Sequence, residues 1–211
     1  RQPPFAMSSS LRRITVGAAA ALLLSSPLAA QERHVLTGAS AVIWNLAGEV
    51  RVERGSGNDV IVEGTRGGAD GGRLDIVTSG GQLRIRYPDD DIVYRGGRDG
   101  RNSTSVHVRS DGTFNGEWGS GGRRVEVRTY GAGLEAHADL VVKVPAGKRI
   151  EVNLAVGAVT AADVEGEMRF DVHAASVRAT GTKGRLVVDA GSGSVRVENA
   201  TGELEVDTGS G

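Results

Sequence analysis

The 211-residue chain sets 25 lysines and arginines against 26 acidic residues, a formal net charge of −1, and it is rich in glycine and poor in aromatics. Such a balance, with no basic stripe, excludes nucleic acid as an expected partner. The absence of cysteine excludes disulfides, thiolate metal sites and a lipid-modified cysteine anchor.

The first methionine is Met7, so residues 1–6 read as an upstream extension. Residues 7–30 read as a secretory signal peptide: basic Arg12-Arg13, an apolar run of 11 residues from Ile14 to Leu24, then Ser25-Ser26-Pro27-Leu28-Ala29-Ala30. Cleavage is expected between Ala30 and Gln31. The run is too short for a membrane span, which needs roughly 20 residues. Leu11 and Ile14-Thr15 flank the arginine pair in a way that fits general secretion better than twin-arginine export. Loss of residues 1–30 takes three arginines with it and leaves a net charge of −4. No second apolar span follows, so the mature chain is expected to be exported: periplasmic, cell-surface or extracellular, with no membrane span.

Residues 31–211 fit one domain. Trp44 alternates with Val42 and reads as an inward strand residue. Asn45-Leu46-Ala47-Gly48-Glu49-Val50-Arg51-Val52 resembles Asn199-Ala200-Thr201-Gly202-Glu203-Leu204-Glu205-Val206 further on. Gly55-Ser56-Gly57-Asn58-Asp59-Val60-Ile61 nearly matches a calcium-binding β-roll motif, but it is a single copy with Arg54 in a glycine position, and a hairpin turn is the preferred reading. Strands are expected at 60–63, 73–77 and 82–87. From Pro88 to Gly122 the periodicity fails in a stretch rich in Gly, Asp, Arg and Ser, with a candidate strand at 105–109. This stretch reads as an irregular insertion or long loop whose removal leaves the fold intact. Pro88-Asp89-Asp90-Asp91 reads as its solvated start. Periodicity resumes at 124–128 and 139–144.

Past Gly147 the chain repeats every 18 residues. Gly166-Glu-Met-Arg-Phe-Asp171 aligns with Gly184-Arg-Leu-Val-Val-Asp189 and Gly202-Glu-Leu-Glu-Val-Asp207. A second segment repeats as Val159-Thr160-Ala161, Val177-Arg178-Ala179 and Val195-Arg196-Val197. Two alternating segments and two corners per unit make one coil of a β-solenoid, a single-stranded β-helix. Four columns are predicted to point inward: Ile150/Met168/Leu186/Leu204, Val152/Phe170/Val188/Val206, Val159/Val177/Val195 and Ala161/Ala179/Val197. Arg149/Glu167/Arg185/Glu203 is predicted to point outward with alternating sign, which favours in-register stacking. The pattern stops at Gly211 where a strand should begin, and the sequence reads as cut mid-repeat; an exposed edge there would self-associate edge to edge.

These phrases together resemble a bacterial adhesin family of β-strand-repeat domains, and are similar to the head domains of autotransporter adhesins. The resemblance rests on residues 45–52, Asp59-Val60-Ile61-Val62-Glu63, Val142-Lys143-Val144-Pro145-Ala146-Gly147 and the glycine-led units, and it is weakest over 88–122. It implies an exported, non-catalytic β-helical domain and carries no functional residues over.

The residues themselves offer little chemistry. The column Asn153/Asp171/Asp189/Asp207 could ligate calcium, but Asp and Asn at corners more often bond turn amides. His34, His107, His137 and His173 lack metal-ligand spacing, and His173 falls at a surface corner. No serine-nucleophile elbow or phosphate loop is present. The expectation is therefore no catalytic, cofactor or metal residue and no cofactor. Trp118, with Phe114, in Phe114-Asn115-Gly116-Glu117-Trp118, is the candidate recognition element, because loops on rigid scaffolds tend to carry function. The expected partner is an envelope protein or a surface polymer. Two alternatives stand beside adhesion: a carbohydrate-active β-helix enzyme with paired carboxylates, and an envelope structural or sensory module.

Overall fold

The computed structural model describes residues 31–96, 103–114 and 121–211; the expected signal peptide and Trp118 lie outside them. The described chain is all-β, with two mixed sheets and no closed barrel. Its strands are β1 (Gln31–Leu36), β2 (Ser40–Arg54), β3 (Val60–Gly67), β4 (Asp75–Ser79), β5 (Gln82–Arg86), β6 (Asp91–Val93), β7 (Ser103–Val108) and β8 (Arg123–Arg128). They continue with β9 (Leu134–Glu135), β10 (His137–Val144), β11 (Lys148–Ala162), β12 (Glu165–Thr180), β13 (Lys183–Ser192), β14 (Val195–Glu198) and β15 (Thr201–Ser210).

The larger sheet runs β1-β3-β10-β2-β11-β12-β13-β15, antiparallel as far as β10 and parallel from there on. The 18-residue repeat is its register. Ile150 pairs with Met168, Met168 with Leu186 and Leu186 with Leu204; Val152, Phe170, Val188 and Val206 form the next row. Val159/Val177/Val195 and Ala161/Ala179/Val197 pair in the same way through β11, β12 and β14. All four columns are buried through β12; at the far end Leu204 and Val206 on β15 are exposed. The outward charge column is also in register. Arg149 Nε meets Glu167 Oε2 at 2.8 Å, and Arg185 lies 3.6 Å from Glu203 and 3.3 Å from Glu205. Such exposed pairs contribute about 0–1 kcal/mol each and serve register more than stability.

Two backbone devices keep successive coils in step. At Gly166, Gly184 and Gly202 φ is +155°, +110° and +115°, and a Cβ would lie 2.1–2.3 Å from the carbonyl oxygen one coil back. Only glycine fits where backbones stack so closely. The other corner repeats as Asp163, Gly181 and Asn199, with φ of 54°, 66° and 55°. These are the residue types that enter the left-handed region most readily.

β2 stacks in parallel on β11 in the same way, and its register corrects two sequence readings. Ala41 pairs with Ile150 and Ile43 with Val152, so these two face inward; Trp44 pairs with Asn153 and lies on the opposite face, half-buried. Gly48 pairs with Gly157 and Val50 with Val159. Residues 45–52 therefore occupy the mid-coil corner and second segment, and their likeness to 199–206 is one of sequence and not of position. The 55–59 turn is no hairpin either, because β10 lies between β2 and β3, parallel to one and antiparallel to the other.

The stretch 88–122 departs from the expected irregular insertion. β6 and β7 belong to a four-stranded sheet ordered β7-β8-β6-β9. Ile92, Val93, Tyr94, Val106, Val108 and Phe114 are buried, and all but Val93 join the cluster that also holds the coil interior. Removal of 89–120 would take two of this sheet's strands and a core phenylalanine. Only the candidate strand at 105–109 foreshadowed this sheet, because β6 has three residues and β7 pairs antiparallel with β8, outside the 18-residue period.

A buried polar knot ties β2 and β10 to the end of β5. Tyr87 Oη donates to Asn45 Oδ1 at 2.8 Å and accepts from Ala47 N at 3.2 Å, while Asn45 Nδ2 donates to Ala138 O at 2.8 Å. Burial pushes the Tyr87 hydroxyl far above its ordinary pKa, so it stays a donor. Tyr87→Phe leaves Asn45 Oδ1 with a single long contact, from Ala47 N at 3.4 Å. The expected loss is about 1–3 kcal/mol, read as a lower urea midpoint at unchanged slope.

Candidate functional site

Trp118 lies outside the described residues, and Phe114 does not offer a surface ring. Phe114 is 1% exposed. It ends a turn tied by Arg109 N to Thr113 O and by Thr113 N to Asp111 Oδ1. Its carbonyl accepts the Trp44 indole N–H at 3.1 Å, and its ring lies 6.2 Å from the His173 ring. The turn thus lies against the outward face of β2 and β12, and Phe114, expected to contact a ligand, packs instead against Trp44 and His173.

On the same outward face runs the Asn153/Asp171/Asp189/Asp207 column, in register from β11 to β15, with Asp189 and Asp207 exposed. Asn153 is buried and donates from Nδ2 to Glu151 Oε1 at 3.0 Å. Asp171 is half-buried; desolvation first, then the neighbouring Asp189 charge, lift its pKa to about 6. His173, expected at an open corner, is half-buried, and burial lowers its pKa while Asp189 opposes the shift. Among the described residues no group of three or more His, Cys, Asp or Glu side chains is placed to hold a metal ion. The aspartate column was legible in the sequence; its unequal titration was not, because it depends on what covers each coil.

A raised carboxyl pKa has a definite sign in stability. Between the unfolded value near 4 and about 6, the folded chain binds more protons than the unfolded one, so this group's contribution falls as pH rises and is lost above pH 6. Asp171→Asn, which repeats the residue one coil back, is expected to raise stability at pH 7 by about 1 kcal/mol after allowance for solvent screening. Unfolding curves at pH 4.5 and 7 check this, since the gain should be small at the lower pH.

Beside this face, where β7 and β8 approach the mid-coil corners, lies a slot of about 280 Å³. Its outer wall is Ser103, Thr104, Val127 and Thr129. Its inner wall is formed by three successive coils at the corner marked by Gly157, Ala175 and Gly193.

No family profile, curated protein or solved structure matches the chain. Among the described residues no helix is long and apolar enough to cross a membrane.

Proposed function

We propose that residues 31–211 form a β-solenoid binding module of the bacterial adhesin type, exported by residues 7–30 and without catalytic activity. The observation that carries this reading is the constant 18-residue register from β11 to β15, with apolar columns inside and charged rows outside. A stack of this kind is a rigid, periodic surface, and its partner is an envelope protein or a surface polymer. Leu204 and Val206 on β15 are exposed, and an isolated chain spanning residues 31–211 is expected to pair edge to edge through them. Light scattering at rising concentration should show a growing mass; a constant monomer mass would refute the pairing.

The main test has two parts. Residues 1–30 fused to a phosphatase that is active only after export should give activity, and the purified chain from Gln31 onward should sediment with envelope fractions. An inactive fusion sinks export, and a chain that stays in the supernatant sinks the binding role. The carbohydrate-active enzyme remains a second reading for one reason: Asp171, held near pKa 6, stands beside Asp189, as an acid and its partner carboxylate would. New reducing ends from envelope polysaccharide, lost in Asp171→Asn, would establish it.

A further inference from the structure

The slot between β7–β8 and the coil corners is shaped by a gradient along the stack. One coil column runs Val156, Ala174, Ser192, and the column two residues on runs Ala158, Ser176, Ser194. Over two steps of about 4.8 Å up the stack, the first column passes from isopropyl to methyl to hydroxymethyl, and the second from methyl to serine hydroxyls. Val156 and Val127 are buried and close one end of the slot, whereas Ser192 and Ser194 are exposed at its mouth. Thr104 and Thr129 line the facing wall, and among the described residues no charged side chain lines the slot. Ser192 Oγ donates to His173 O at 3.4 Å, which leaves its oxygen as an acceptor.

This lining selects a ligand by chemistry. Lack of charge disfavours anionic sugars and phosphates, which would be desolvated with no counter-charge. Hydroxyls at the mouth suit a polyhydroxylated ring, and buried valine methyls at the closed end suit a small apolar substituent. The volume lies near the lower limit for small-molecule sites, room for a residue and not a long chain segment. We infer that the slot binds a neutral N-acetylated sugar residue, with the acetyl methyl against Val127 and Val156 and the ring hydroxyls toward Ser192, Ser194 and Thr129. The inference rests on the reading of the chain as a binding module and gives that module a ligand class. Val127 and Val156 set the preference for the acetyl group, and the serine steps set the preference for an uncharged ring.

The test uses the chain from Gln31 onward, labelled with nitrogen-15, and N-acetylglucosamine, glucose and glucuronic acid as probes. N-acetylglucosamine should shift the amides of Thr104, Val127, Ala175 and Ser194 with a Kd on the order of a millimolar. Glucose should bind about tenfold more weakly, and glucuronic acid should leave these amides unmoved. Ser192→Leu, at the exposed mouth, and Ala174→Leu, midway in, should each weaken N-acetylglucosamine about tenfold with an unchanged circular dichroism spectrum. Absence of shifts at tens of millimolar sugar overturns the inference. So does equal binding of glucuronic acid, or full affinity in Ser192→Leu. If the chain still sediments with envelope fractions while all three sugars fail, the slot assignment falls and the module reading stands; if it neither sediments nor binds sugar, both fall.

Discussion

Gly184→Ala is expected to cost about 3 kcal/mol or more and to lower the urea midpoint accordingly. Two penalties combine. A φ of +110° is strained for any residue with a Cβ, and the new carbon would sit 2.2 Å from Gly166 O. The oxygen belongs to a backbone paired through the β12–β13 ladder, so relief requires the coils to move apart. Gly147→Ala separates the penalties: φ there is +79°, but nothing lies within 4 Å of the added carbon. That control should lose only about 1 kcal/mol. Equal losses in the two variants would show that strain, and not coil stacking, holds glycine at position 184. The mid-coil corner already shows the alternative: Ala175 stands between Gly157 and Gly193 in the stack, and unlike them it keeps φ out of the positive region.

This contrast explains how much was legible beforehand. A glycine that recurs because backbones touch leaves a periodic trace, so Gly166, Gly184 and Gly202 disclosed both the 18-residue register and the inward columns. The same arithmetic misplaced Gly48, because one glycine-led phrase resembles another whichever corner it turns, and only pairing with Gly157 distinguishes them. Trp44 was misread for a related reason. Strand alternation says that Val42 and Trp44 share a face, but the face is chosen by Ala41 and Ile43 stacking on Ile150 and Val152. In the second sheet β7 and β8 left alternating traces at 105–109 and 124–128, but β6 and β9, of three and two residues, are too short to show a period. The slot left a faint trace: Val156, Ala174 and Ser192 pass from branched apolar to small to hydroxylated along a column, but the wall that turns this gradient into a cavity comes from β7 and β8.

Phe114→Ala is expected to destabilise the chain by about 3–5 kcal/mol, the usual cost of truncating a fully buried phenylalanine. A surface recognition residue would lose binding and keep its stability, so this variant separates the two roles directly. The ring holds its turn against the outward face of β2 and β12, and without it His173 should regain solvent. Its pKa, lowered by burial, should then rise toward the ordinary histidine value in an NMR titration of the variant. The sign bears on acid stability. A histidine whose folded pKa is depressed loses stability as pH falls through its unfolded value near 6.5, because the unfolded chain takes up the proton first. The variant should therefore be less stable throughout but flatter between pH 7 and pH 5.5 than the parent chain. A normal urea midpoint for Phe114→Ala would mean that this turn is dispensable, and with it the packing that joins the four-stranded sheet to the coils.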